Sequence, residues 1–265
     1  MTRVLSGAVL IVVAVAAVWL SPAWLFLLIA EALLVTACYE YAGLVRAGRL
    51  SFPTVVATAA AALTCASFSH EAFGRSLVTL DLALMTALVA VGALSLATWR
   101  EGTDAVASVS AALLPCLYVG LPIGAMVAVR EMWGPQALFL LMLTVIVSDS
   151  AQYYTGRAFG RRALAARISP KKTLEGAYGG FVFGTALLVV AGAWWLPQVP
   201  VALRVVLGLT VVVLGMAGDL FESMLKRSAG MKDSSALIPG HGGVLDRIDA
   251  LLFAAPIYYV VLSHV

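Results

Sequence analysis

The sequence predicts an all-α, polytopic membrane protein of about nine transmembrane helices with its N-terminus in the cytoplasm. Hydrophobic residues make up 62% of the 265 residues and charged residues only 12%, against roughly 25% charged in soluble domains. Mean hydropathy is correspondingly high, +0.99. Apolar stretches recur with centres near residues 12, 31, 61, 88, 117, 146, 186, 212 and 257, and about 20 such residues suffice to cross the hydrocarbon as a helix. Threading nine spans from a cytoplasmic N-terminus leaves only Arg75, Arg130 and Arg204 of the 17 basic residues outside, the orientation that the positive-inside rule selects.

The first stretch follows Arg3 and has the look of a secretory signal. Ser21 and Pro22 lead straight into a second stretch, however, so a tight hairpin between two retained helices is expected. The N-terminal region, 1–135, reads as spans and turns. Glu31, Glu40 and Asp81 lie in or near its apolar stretches, where a central charge costs about 2.5–3.5 kcal/mol. They read as span-end or bundle-interior residues, with a functional role left open. Cys38, Cys65 and Cys116 fall in or at the edges of spans without the paired spacing of a disulfide or zinc site, and read as small packing residues.

The C-terminal region, 136–265, carries the chemistry. Its sixth span holds Asp149 toward the cytoplasmic end, followed by Gln152, Tyr153, Gly156 and Arg157. A polar segment, 157–175, then supplies Ser169, Pro170, Lys171, Lys172 and Thr173. Thr173 is placed to cap the seventh helix, setting a positive helix end beside two lysines, which suits phosphate. Gly176, Gly179 and Gly180 are placed for close helix packing. The eighth span ends on Asp219 and Glu222, three apart on one face, with Lys226 one turn on. An acid in the last turn of a helix opposes the dipole, so these two are expected to have a cation or a basic partner.

The second polar segment, 223–248, concentrates Lys226, Arg227, Lys232, Asp233 and His241 with the glycines Gly240, Gly242 and Gly243. Asp246, Arg247 and Asp249 follow, the two aspartates opening the short ninth helix three residues apart. Basic side chains and free amides suit phosphate oxygens, and helical carboxylates suit a hard divalent cation. The plainer alternatives are ion pairing at the headgroup level for the acids, lipid anchoring for Lys226 and Arg227, and an ordinary loop role for His241. A Gly-rich turn that lets backbone amides approach a ligand weighs against them. Both polar segments emerge on the cytoplasmic face in this threading and can build one site. No nucleic-acid partner is expected.

The run Ser223, Leu225, Lys226, Arg227, Lys232, Asp233, Ser235, Pro239, His241, Gly242, Gly243, Asp246, Arg247, Asp249 closely resembles the phosphatidate cytidylyltransferases, also called CDP-diacylglycerol synthases. The stretch 148–180, with its GRAFG and SPKKTLEG elements, is similar to a second recognisable region of that family, although Leu174 stands where many members carry an aromatic. The resemblance covers the C-terminal half. It implies transfer of the cytidylyl group of CTP to phosphatidic acid at the cytoplasmic face of the cell membrane, with magnesium, alone or paired with a monovalent cation such as potassium. It also allows a homodimer. Carried onto this chain, it implies metal carboxylates at Asp219, Asp246 and Asp249 with Asp149 as a contributor. Phosphate contacts are implied at Lys226, Arg227, Lys232, Arg247, Lys171, Lys172, Arg157, Gly242 and Gly243, and a site role at His241. The competing readings are a CTP-dependent kinase of the polyprenol type and, from another class, a transporter, against which stand the lack of an internal repeat and the clustering of acids at one face.

Overall fold

A computed structural model describes residues 2–70, 78–101, 104–235, 237 and 242–265. Its helices fall in the nine stretches that the sequence marks: α1 (Thr2–Leu20), α2 (Ala23–Ala47), α3 (Thr54–Ala66), α4 (Leu80–Thr98), the run α5 (Ala105–Pro115) to α6 (Leu121–Trp133), α7 (Pro135–Phe159), α8 (Leu174–Trp195), α9 (Val201–Ser228) and α10 (Leu245–Leu262). Among the described residues, six helical runs are long and apolar enough to cross a membrane: α2, α4, α5–α6, α7, α8 and α9. By length and composition this is a multi-pass membrane protein. Exposed apolar side chains such as Leu88, Val89 and Leu96 on α4 are then lipid-facing surface.

Local chemistry accounts for the breaks. Ser21 and Pro22 are the whole connection between α1 and α2, the tight turn expected. The turn is held on its inner side by Arg130, whose Nε donates to Val18 O at 2.8 Å, whose Nη2 donates to Ser21 O, and whose guanidinium lies 4.5 Å from the Phe26 ring centre. Pro115 removes one backbone donor inside a long helix, and the chain relaxes into a π-type turn, Cys116–Gly120, before α6 resumes. Gly134, at φ +82°, makes the sharp step from α6 into α7. Asp104 caps α5 through Ala107 N at 3.0 Å.

Between lipid-solvated helices, close packing takes over from the hydrophobic effect as the source of cohesion, and small residues permit it. The tightest pair is α7 with α8, where a Cβ on Gly179 would run into Thr155 and one on Gly180 into Gln152 and Ser148. The glycines of the 176–180 region therefore pack helices, as expected. The three cysteines are buried and free. At the C-terminus, Tyr258 Oη donates to Ala137 O at 3.0 Å and Trp133 Nε1 to Leu262 O at 3.2 Å, tying α10 to α6 and α7.

Two features depart from the sequence reading. The segment 157–175 is not a plain loop: Arg157 still belongs to α7, and β1 (Ala163–Ala165) pairs antiparallel with β2 (Ser169–Thr173) in a small hairpin, Ala163 opposite Thr173. Glu175 holds its base by accepting from the amides of Arg161 and Arg162 at 2.9 and 3.2 Å. The second polar segment is shorter than expected, because α9 continues through Lys226 and Arg227 to Ser228 and α10 begins at Leu245.

Candidate active site

The chemistry-bearing residues converge where the C-terminal end of α9 meets the start of α10, with the end of α7 and strand β2 alongside. Gly218 sets the approach of α9 to α10, since a Cβ there would strike the backbone of Asp249 and Ala250. Gly218→Val is expected to cost about 1–3 kcal/mol through overpacking and backbone shift, measured by thermal unfolding in detergent, with activity lost alongside.

Asp149, Asp219 and Asp249 lie within electrostatic reach of one another, each repelling the other two. They come from α7, α9 and α10, and their cationic neighbours flank them. Lys172 Nζ lies 2.5 Å from Asp219 Oδ2 and also acts on Asp149, while Lys226 acts on Asp249. Gln152 Nε2 donates to Asp149 Oδ1 at 3.1 Å, and Ser223 Oγ to Asp219 Oδ1 at 3.4 Å. The expected basic partner of Asp219 is therefore Lys172, from the hairpin, which reaches across from a different element.

Lys226 is the centre of a second, drier cluster. Its ammonium sits between Glu222, a fully buried carboxylate one turn back, and Asp246 Oδ1 at 2.5 Å. The other Asp246 oxygen accepts from Ser234 N at 3.0 Å, Ser234 Oγ at 2.8 Å and Gly243 N at 2.8 Å. The sequence reading makes Asp246 a metal carboxylate. In the structure Lys226 meets one of its oxygens and Ser234 and Gly243 meet the other, which makes it the knot joining α9, the loop and α10. Gly243 likewise spends its amide on Asp246, and the positive φ of Gly242, +81°, turns the chain to bring that amide round.

Arg157, Lys171, Arg227, Lys232 and Arg247 are exposed. Lys171 and Lys172 are neighbours on a strand and so point to opposite faces. Only Lys172 turns inward to the acids. His241, with Pro239 and Gly240, lies outside the described residues. Thr173 caps α8 through Gly176 N at 3.1 Å, as its position predicts.

Glu40 is a member of this cluster that sequence reasoning leaves unassigned. From α2 it reaches the loop: Oε1 accepts from Ser235 Oγ at 2.6 Å and Val244 N at 2.9 Å, Oε2 from Ser234 Oγ at 3.1 Å and Leu245 N at 2.7 Å. A second acid late in a mostly apolar span is its only signal. Glu31, about 13 Å back along the same helix, and Asp81, in the first turn of α4, do not join the cluster.

The trio of carboxylates is a hard-oxygen donor set of the kind magnesium takes. Among the described residues no three acids or imidazoles stand close enough to close a metal shell as placed, and the Lys172 ammonium takes up Asp219. The donor chemistry fits a divalent cation once that ammonium yields.

A model of the cytidylyltransferase family matches residues 1–265. Over 174 residues the chain is 37% identical to a phosphatidate cytidylyltransferase of Thermotoga maritima, covering 64% of each chain. It is 43% identical over 126 residues to that of Pseudomonas aeruginosa, covering 47% of this chain and 46% of the relative. To the Synechocystis protein of the same name it is 45% identical over 135 residues, covering 49% and 44%. The chain thus spans less than two thirds of the length of each of these relatives.

Proposed function

This chain belongs to the cytidylyltransferase family, and from that premise we propose that it transfers the cytidylyl group of CTP to phosphatidic acid, giving CDP-diacylglycerol and pyrophosphate. The observation that carries the reading is the mutually repelling trio Asp149, Asp219 and Asp249 with Lys172 and Lys226 on its flanks. A phosphate oxygen of the lipid attacks the α-phosphorus of CTP, the bond to the bridging oxygen breaks, and pyrophosphate leaves with the electron pair. The nucleophile is already anionic. The site therefore has to neutralise charge and align the two phosphates more than it has to remove a proton.

Asp219 and Asp249, with Asp149, would hold magnesium, alone or with a monovalent cation such as potassium, and the metal would supply neutralisation of phosphate charge. Lys226, fixed between Glu222 and Asp246, is assigned to a phosphate oxygen at the edge of the trio. Lys172 alternates between Asp219 and substrate phosphate. Arg157, Lys171, Arg227, Lys232 and Arg247 form the cationic surround that draws in the triphosphate. The orientation proposed is cytoplasmic, with nine spans in all and α1, α3 and α10 completing the six long helices. It is supported by the side on which the basic residues fall.

The test is incubation of purified protein in detergent with CTP, phosphatidic acid and magnesium, before and after chelation. Pyrophosphate and CDP-lipid in equal amounts, lost with EDTA and restored by magnesium, is the expected result. Release of CDP with a phosphorylated lipid would favour a kinase, and no turnover with several lipid acceptors would favour a transporter.

A further inference from the structure

We infer that Glu40 is a positioning residue for the nucleotide end of this site, acting from the N-terminal half of the chain on the loop that joins α9 to α10. The inference rests on the transferase reading for its kinetic consequence, and on geometry alone for the contact itself.

Glu40 is only 3% exposed, and burying a carboxylate is unfavourable unless it is bonded on all sides. It is. Two of its four donors are the amides of Val244 and Leu245, which open α10 and have no partner within the helix. The other two are the hydroxyls of Ser234 and Ser235, ten residues earlier. One side chain thus clamps both ends of the described loop against α2, with charge-assisted bonds that are stronger than neutral ones.

The clamp is connected to the chemistry. The Ser234 hydroxyl stands between two carboxylates, 3.1 Å from Glu40 Oε2 and 2.8 Å from Asp246 Oδ2, with a single proton to share between them. Asp246 in turn holds Lys226. Gly243 is wedged in the same place, for a Cβ there would meet both Ser234 Oγ and the Glu40 oxygens. Glu40 therefore sets where the Gly242–Gly243 turn, Asp246 and the Lys226 ammonium stand relative to the acid trio. It touches no reacting atom in this arrangement.

A merely structural cap and a positioning residue differ in what their loss does to CTP. Glu40→Gln keeps the size of the side chain and two acceptor sites but removes the charge, and is expected to raise the KM for CTP about tenfold or more while the KM for phosphatidic acid stays within about twofold. Ser235→Ala should raise the CTP KM in the same direction by less, and the Glu40→Gln/Ser235→Ala double variant should be no worse than Glu40→Gln alone. An unchanged CTP KM in Glu40→Gln, with turnover lost only in proportion to folded protein, would overturn the inference. If Glu40→Gln does not fold, Ser234→Ala and Ser235→Ala carry the same test, and an unchanged CTP KM in both overturns it. If the wild-type protein makes no CDP-lipid, the transferase reading has failed on its own. The inference is then judged by hydrogen exchange, where Ser235→Ala should speed exchange of the Val244 and Leu245 amides and unchanged rates would overturn it.

Discussion

Asp249→Asn is expected to lower cytidylyl transfer by about 100- to 1000-fold while leaving the protein folded. Among the described residues no ion pair reaches Asp249, and its bonded partner is the amide of Ala250 on its own helix, at 2.8 Å. Asparagine has the same shape and keeps an acceptor for that amide. What it removes is one of three negative charges that repel one another across the site. The metal-free variant should therefore unfold at the wild-type temperature or slightly above it, because repulsion is relieved, even as its activity collapses. A scan of melting temperature beside turnover checks both halves. Activity within about tenfold of wild type would remove Asp249 from the metal set.

Lys226→Met should do damage of a different kind. The Lys226 side chain is 12% exposed and faces side chains that are 0% (Glu222) and 8% (Asp246) exposed, so its removal leaves two carboxylates without their cation in a dry environment. Breaking a buried pair in this way costs about 3–5 kcal/mol, and both stability and activity should fall. Adding Glu222→Gln to Lys226→Met removes one of the stranded charges. Stability should recover in part, whereas turnover should not, because the ammonium assigned to the phosphate oxygen at the edge of the trio is still missing. Recovery of turnover in the double variant would show that Lys226 serves only to neutralise Glu222.

Much of this architecture is legible in the sequence because it rests on local regularities. Among the described residues the helices fall in the apolar stretches, Thr173 caps α8, and the pairing of Glu222 with Lys226 follows from helical spacing alone. What stays hidden depends on distant partners. Nothing in the spacing around Glu40 points to Ser234 or Leu245, some 200 residues away, and the reach of Lys172 to Asp219 depends on a hairpin whose first strand is three residues long and carries no β-branched residue. The contacts of Asp246 with Ser234 and Gly243 stay hidden for the same reason: motif spacing identifies a carboxylate, and only the folded loop brings these donors to it. The π-type turn after Pro115 is intermediate. The proline marks a break, but its accommodation within one continuous run follows from packing, with a Cβ on Gly120 striking the Ala61 carbonyl.

The most direct test of the central claim follows the phosphorus atoms of CTP. Purified protein is given phosphatidic acid and CTP labelled in parallel at the α- or the γ-phosphorus, and the lipid is extracted. Cytidylyl transfer predicts label in the lipid from α-labelled CTP only, with the γ-label recovered as pyrophosphate. Label reaching the lipid from the γ-position would contradict the account, as would lipid that stays unlabelled from both.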